Sequence, residues 1–187
     1  MSAALLNLLD SANDLKRLPR AGWLLAGIRL PESVADHVFA TALLAMLLAD
    51  AINADYASQG LDGPLDVTRV LRIALLHDLA ESLVTDLPKR SVELLGKEVK
   101  HAAERGAMER LLSEVEGAAY YLSLWEEYER ASSPEAKAVK DADKLEMVHQ
   151  ARRYAQIGHS HLNEFWYGHT WHFNISADLM ETLAQSP

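Results

Sequence analysis

Cysteine is absent from the 187-residue chain. A disulfide framework, a thiol nucleophile and a thiolate metal site are therefore all excluded. Long apolar runs are lacking as well. The longest, VFATALLAMLLA, gives way to Asp50 and falls short of the roughly eighteen residues a membrane span needs. It reads as a buried helix, and no membrane partner is expected. The first twenty residues carry no basic cluster ahead of their leucines, which Asp10 interrupts, so they do not read as a secretion signal. A cytoplasmic location is the expectation. Basic residues are the scarcer sign, 18 Lys and Arg against 27 Asp and Glu, for a formal net charge of −9. That balance argues against a nucleic-acid polymer as partner, because such binding rests on Lys and Arg contacts to phosphates. A small phosphate ester needs only one or two local cations and remains open. Sustained two-residue alternation is missing too, and nearly every segment follows a 3.6-residue period. The fold class expected is all-α.

Apolar residues make up 49% of the chain, enough for a sizeable core in one domain covering residues 1–187. A first helix is expected over about residues 3–16, ending before Pro19. A second starts from Ser33 as N-cap, and a third, capped by Asp66, is expected to run through VTRVLRIALLHDLAES and stop before Pro88. A charged helix covers about 97–116 and a short aromatic one follows. Ser133 with Pro134 at the first helical position opens a long helix, and a polar loop then leads to a last short helix. Connections are mostly short, as in a helical bundle.

Within this pattern, ALLHDLAES (74–82) places a histidine and two carboxylates where the core should be. A buried unpaired carboxylate costs several kcal/mol, so an arginine or a metal ion must compensate it. Glu81 follows Asp78 by three residues and His77 by four, which puts it on their face, and Asp86 lies just beyond. His37 is the first polar residue inside the long apolar helix. A lone histidine there is ordinarily a hydrogen-bonded core residue; beside a His77–Asp78 corner it points to metal. In AVKDADKLEMVHQA, Asp141 and Asp143 lie about 200° apart around a helix and cannot both face one site. Periodicity does not choose between them. Two imidazoles and two carboxylates suit one divalent Mn, Co, Fe, Zn or Mg rather than soft copper.

His37, the doublet His77–Asp78 and Asp143 in KDADK resemble the H…HD…D signature of the HD-domain metal-dependent phosphohydrolases. LKRLPRAGW, PESVADH, ALLHDLAESLVTDLP, GKEVKHAAERGAMERL and VKDADKLEM are similar to the branch containing bacterial 5′-deoxynucleotidases and their eukaryotic HD-domain relatives, across about residues 10–155. The resemblance implies an HD-domain helical bundle, one divalent cation per subunit, a homodimer, and hydrolysis of nucleoside 5′-monophosphates to nucleoside and phosphate. It implies His37, His77, Asp78 and Asp143 as metal ligands, Glu81 as catalytic carboxylate and Asp86 as a second acid near the attacking water. Arg20 and Trp23 fall in the loop that closes over phosphate and sugar. The chain departs there from relatives with arginine directly before the tryptophan, reading RAGW, and has Ala26 where relatives often carry another arginine.

The chemistry is self-consistent. A phosphomonoester dianion must be neutralised, attacked by an activated water and relieved of its alkoxide, tasks that a Lewis acid, a carboxylate and a cation can share. Arg20 leads as the cation, with Lys89 and Lys97 behind it, and both lysines also read as solvated surface charges. Other HD-type activities, triphosphohydrolysis or cyclic phosphodiester hydrolysis, and a non-catalytic metal- or nucleotide-binding module are the alternatives. His159, His161, His169 and His172, set among Phe165, Trp166, Tyr167 and Trp171, match no zinc-binding spacing and read as an aromatic loop packed on the bundle or on a second subunit. Tyr120, Tyr121, Trp125 and Tyr128 read as packing, and His101 and His149 as exposed.

Overall fold

Helix caps set the frame. The computed structural model describes residues 2–185. Ser33 opens the longest apolar helix with a reciprocal capping box: its Oγ accepts the Asp36 N–H at 3.1 Å, and Asp36 accepts the Ser33 N–H at 2.8 Å. Asp66 caps its helix through the Arg69 N–H, and Ser133 through that of Ala136, with Pro134 following as expected. The helices in chain order are α1 Ser2–Asp14, α2 Ala21–Leu25, α3 Val34–Ala54, α4 Val67–Leu76, α5 Glu81–Val84, α6 Lys89–Leu95, α7 Lys97–Leu112, α8 Ala118–Arg130, α9 Pro134–Gln156, α10 Asn163–Trp166 and α11 Asn174–Gln185. No strand occurs among the described residues. The chain is all-α.

Three helices, α3, α4 and α9, form the centre. Alanines at 42, 45 and 49 of α3 and at 136, 138 and 142 of α9 are buried in one apolar cluster with Leu48, Ile52, Val70, Ile73 and Leu145. Small side chains let the α3 and α9 backbones approach closely, which brings the N-terminal turn of α3 against the middle of α9. A second cluster joins Leu15, Val34, Val38, Met108, Leu112 and Trp125. A third, around Trp23, Tyr154 and Phe165, roofs one end of α9. Among the described residues, α3 alone is apolar and long enough to cross a membrane by composition; its inner face lies in the core, while Phe39, Leu43 and Leu47 on its outer face are exposed.

Several elements depart from the periodicity. The continuous helix expected over 67–82 ends at Leu76, and α5 follows a turn at residues 77–80. The hydrogen bonds there tighten to the i→i−3 pattern, Leu79 to Leu76, Glu81 to Asp78, Ser82 to Leu79 and Leu83 to Ala80. The His77 side chain also takes up the Ala74 carbonyl. Thr85 then adopts φ +70°, a conformation costly for a non-glycine residue, and redirects the chain at Asp86. Helices α2, α6 and α10 are too short for a period of 3.6 to register.

The two aspartates of KDADK face different neighbours. Asp141 is buried and faces away from His37, accepting the backbone N–H groups of His172 and Phe173 at 2.9 and 3.1 Å and pinning the segment that leads into α11. Asp141→Ala strands these donors and is expected to cost about 2–3 kcal/mol. A thermal melt should show a midpoint lower by roughly 4–10 °C, with Asp143→Ala behaving differently because its partners are side chains.

Candidate active site

Four predicted residues meet where α3, the turn after α4, and α9 converge. His37 from α3 and His77 from the turn place their Nε2 atoms 3.4 Å apart. Asp78 Oδ2 lies 3.6 Å from His37 Nε2 and 3.3 Å from His77 Nε2. Asp143 Oδ1, from α9, lies 3.1 Å from His37 Nε2. Both imidazoles have their tautomers assigned by their other nitrogens. His77 Nδ1–H donates to the Ala74 carbonyl at 2.6 Å, and His37 Nδ1–H donates to Glu146 at 2.6 Å. With those hydrogens on Nδ1, each Nε2 presents a lone pair. Two imidazole nitrogens and two carboxylates therefore converge, a set that a metal ion or a shared proton relieves. His37, His77 and Asp78 offer donor atoms within 4.8 Å of one another, suited to one metal ion.

Electrostatics repeats the point. Burial and the Arg20 guanidinium pull His37 down, yet its hydrogen bonds to Asp143 and Glu146 outweigh them and set its pKa at about 9. In the metal-free protein a proton thus takes the place of a cation. Burial opposes ionisation of Asp78 and Asp143, but His77, His37 and Arg20 hold both well below the usual carboxylate range. Arg20 Nη1 reaches Asp78 Oδ2 at 3.2 Å. Its loop is tied to the Glu32–Val34 segment by Arg20 N–H to the Glu32 carbonyl and Val34 N–H to the Leu18 carbonyl. Asp86 accepts the Ala21 N–H and fixes the same loop from the other side.

Glu81 is the unusual group. It is buried, its Oε2 has no hydrogen-bond partner among the described residues, and it lines the cavity. Burial, reinforced by the charges of Asp78 and Asp86, pushes it well above the ordinary glutamate range. The cavity beside it encloses about 460 Å³, within the range of small-molecule sites. Arg20, Trp23, His77, Asp78, Glu81, Asp86 and Asp143 all line it. So do Lys89, Lys100 and Lys140, whereas Lys97 points into a neighbouring groove. Lys100, one helical turn further along α7, turns inward and pairs with Glu104 at 2.7 Å. The lining holds seven carboxylates against four cations, so a phosphate dianion is repelled unless a further cation is present.

Residues with no obvious sequence signal complete the site. Tyr128 O–H donates to Asp143 Oδ2 at 2.7 Å, and Lys140 Nζ sits 3.4 Å from the Tyr128 ring centre. Glu146, one turn after Asp143 on α9, accepts the His37 Nδ1–H at 2.6 Å. Glu32 offered no hint, yet it accepts the Trp23 indole N–H at 2.9 Å. Burial and the Glu146 charge raise Glu32 to about 7. His101 is half-buried rather than exposed and stacks on Trp125, with Glu129 at 3.3 Å.

The profile of the HD domain matches residues 12–170 of the chain. The chain belongs to the HD-domain family. The doublet of this HD domain is His77–Asp78, at the hinge between α4 and α5. A human protein named 5′-deoxynucleotidase HDDC2 is 38% identical over 176 residues, covering 91% of this chain and 79% of its own length. The Schizosaccharomyces pombe 5′-deoxynucleotidase hdd1 is also 38% identical, over 89% of this chain and 82% of its own. A solved structure, a conserved hypothetical protein from Pyrococcus furiosus, superposes with a TM-score of 0.80 at 36% identity, covering 97% of this chain and 99% of that one.

Burial of Glu81 with its Oε2 unbonded predicts a stability cost in the metal-free form. Glu81→Gln keeps the shape and removes the charge, so the stripped protein should gain about 1–3 kcal/mol, read as a higher thermal midpoint. A lower midpoint would show that the carboxylate is compensated.

Proposed function

We propose that this protein hydrolyses nucleoside 5′-monophosphates, deoxyribonucleotides among them, to nucleoside and inorganic phosphate, using one divalent cation held by His37, His77, Asp78 and Asp143. The observation that carries the reading is the convergence of four lone-pair donors beside a buried, unpartnered carboxylate in a nucleotide-sized cavity. The names of the human and fission-yeast relatives support the substrate class. The donor set fits Mn, Co, Fe, Zn or Mg. When bound, such an ion supplies Lewis-acid neutralisation of phosphoryl oxygens and lowers the pKa of water.

The side chains divide the remaining work. Glu81, raised above the ordinary glutamate range by burial and by the Asp78 and Asp86 charges, is the carboxylate at the cavity wall placed to take the proton of the attacking water. Arg20 uses one nitrogen on Asp78 and has further donors for the phosphoryl oxygens. Asp86 holds the Arg20 loop through Ala21 N–H and contributes a second acid at the cavity wall. Trp23 positions that loop, its indole anchored on Glu32. The excess of carboxylates in the lining disfavours triphosphates, and the cost of an unpaired Glu81 disfavours a purely structural scaffold.

The test is phosphate release from a panel of mono-, tri- and cyclic nucleotides after stripping and reloading with Mn, Co, Mg or Zn. Phosphate should come from monophosphates, and Glu81→Ala should lower kcat at least ~100-fold while retaining metal. His77→Ala and Asp143→Ala should lose metal in elemental analysis; full metal content in both would refute the ligand assignment. We further infer a homodimer through the outer face of α3, where Phe39, Leu43 and Leu47 are exposed beside Leu179. Light scattering should give twice the 20.7 kDa chain mass, and Phe39→Glu should shift it to monomer.

A further inference from the structure

We propose that the segment 163–169 is the nucleobase wall of the cavity and that the ring of Tyr167 is the surface on which the base stacks. The inference rests on the monophosphate reading above and deepens it. A stacking platform needs an open aromatic face, and each other ring at the cavity has its faces taken. Trp23 is 2% exposed, with Tyr154 edge-on at 5.2 Å and Phe165 across it at 4.0 Å. Tyr128 is 4% exposed and carries Lys140 on its face, with His77 at 5.2 Å. Phe165 is 9% exposed. His169 donates from Nε2 to the Phe165 carbonyl at 2.9 Å and has its ring against Trp171. Tyr167 lines the same cavity and is 75% exposed.

The segment is anchored as a platform must be. Phe165 plugs between α2 and α9, close enough that a Cβ at Gly22 would lie 3.3 Å from its ring, and Leu162 is buried alongside. His169 closes the loop back on Phe165, leaving Tyr167 between two fixed points. The loop has a polar neighbour for base edges in Glu164, which also lines the cavity and is exposed. The phosphate-directed charges, Arg20, Asp78, Glu81 and Asp86, come from other elements of the lining. Stacking tolerates any base, because every base has a π face.

The decisive comparison uses the metal-loaded protein with a deoxynucleoside 5′-monophosphate and with deoxyribose 5-phosphate, which keeps sugar and phosphate and lacks the base. The ratio of kcat/KM for nucleotide over sugar phosphate should fall about tenfold in Tyr167→Ala, mainly through KM of the nucleotide, and hold in Tyr167→Phe. A second arm measures nucleotide binding calorimetrically in Glu81→Ala, where adding Tyr167→Ala should raise Kd by a similar factor. An unchanged ratio, an equal loss on both substrates, or an unaltered Kd overturns the inference. If the wild-type protein releases phosphate from neither ester, the hydrolase reading fails on its own, and the calorimetric arm still decides for or against Tyr167, absence of binding counting against it.

Discussion

Two imidazole nitrogens 3.4 Å apart, with carboxylates on either side, form a contact that an apolar core tolerates only with a cation or a proton among its groups. It persists because each imidazole is fixed from behind, His77 by the Ala74 carbonyl and His37 by Glu146. Removing either fixture frees a ring to flip, and the set of acceptors disperses. The rest of the molecule serves this arrangement. Alanine faces on α3 and α9 allow the approach that puts His37 within 3.1 Å of Asp143, and the capping box at Ser33, four residues before His37, sets where α3 begins.

The break after α4 follows the same logic. A continuous helix through residues 67–82 would have satisfied every local preference of that sequence. The observed tightening to i→i−3 hydrogen bonds, and the strained Thr85 beyond it, place His77, Asp78, Glu81 and Asp86 around one cavity. Local order has given way to site geometry, as is common where a fold carries chemistry.

How much of this was legible in the sequence depended on whether a residue broke a pattern. His37, His77, Asp78 and Glu81 did so by being polar in apolar stretches, and the structure brings them together. Asp143 could not be told from Asp141 by spacing, since the difference lies in which neighbour each faces across the bundle: His37 for one, the His172 and Phe173 amides for the other. Lys100, Lys140 and Tyr128 looked like ordinary helix-surface or packing residues, because their cavity exists only once α7, α8 and α9 are assembled. Glu32 was invisible, its role being a hydrogen bond to an indole nine residues away in a loop of no regular period. Long helices and their caps were readable; α2, α6 and α10, each of one or two turns, were not.

The metal end and the roof of the cavity are not independent. His37 leans on Glu146, Glu146 raises the pKa of Glu32 through its charge, Glu32 holds the Trp23 indole, and Trp23 packs on Phe165, which anchors the loop carrying Tyr167. Tyr154 joins the same chain, its hydroxyl accepting the Glu32 N–H while its ring meets Trp23. The links combine hydrogen bonds, ring packing and one like-charge interaction, so the roof and His37 belong to one network. The surroundings of His37 and the loop carrying Tyr167 are thereby joined by one run of side-chain interactions rather than standing as two separate clusters.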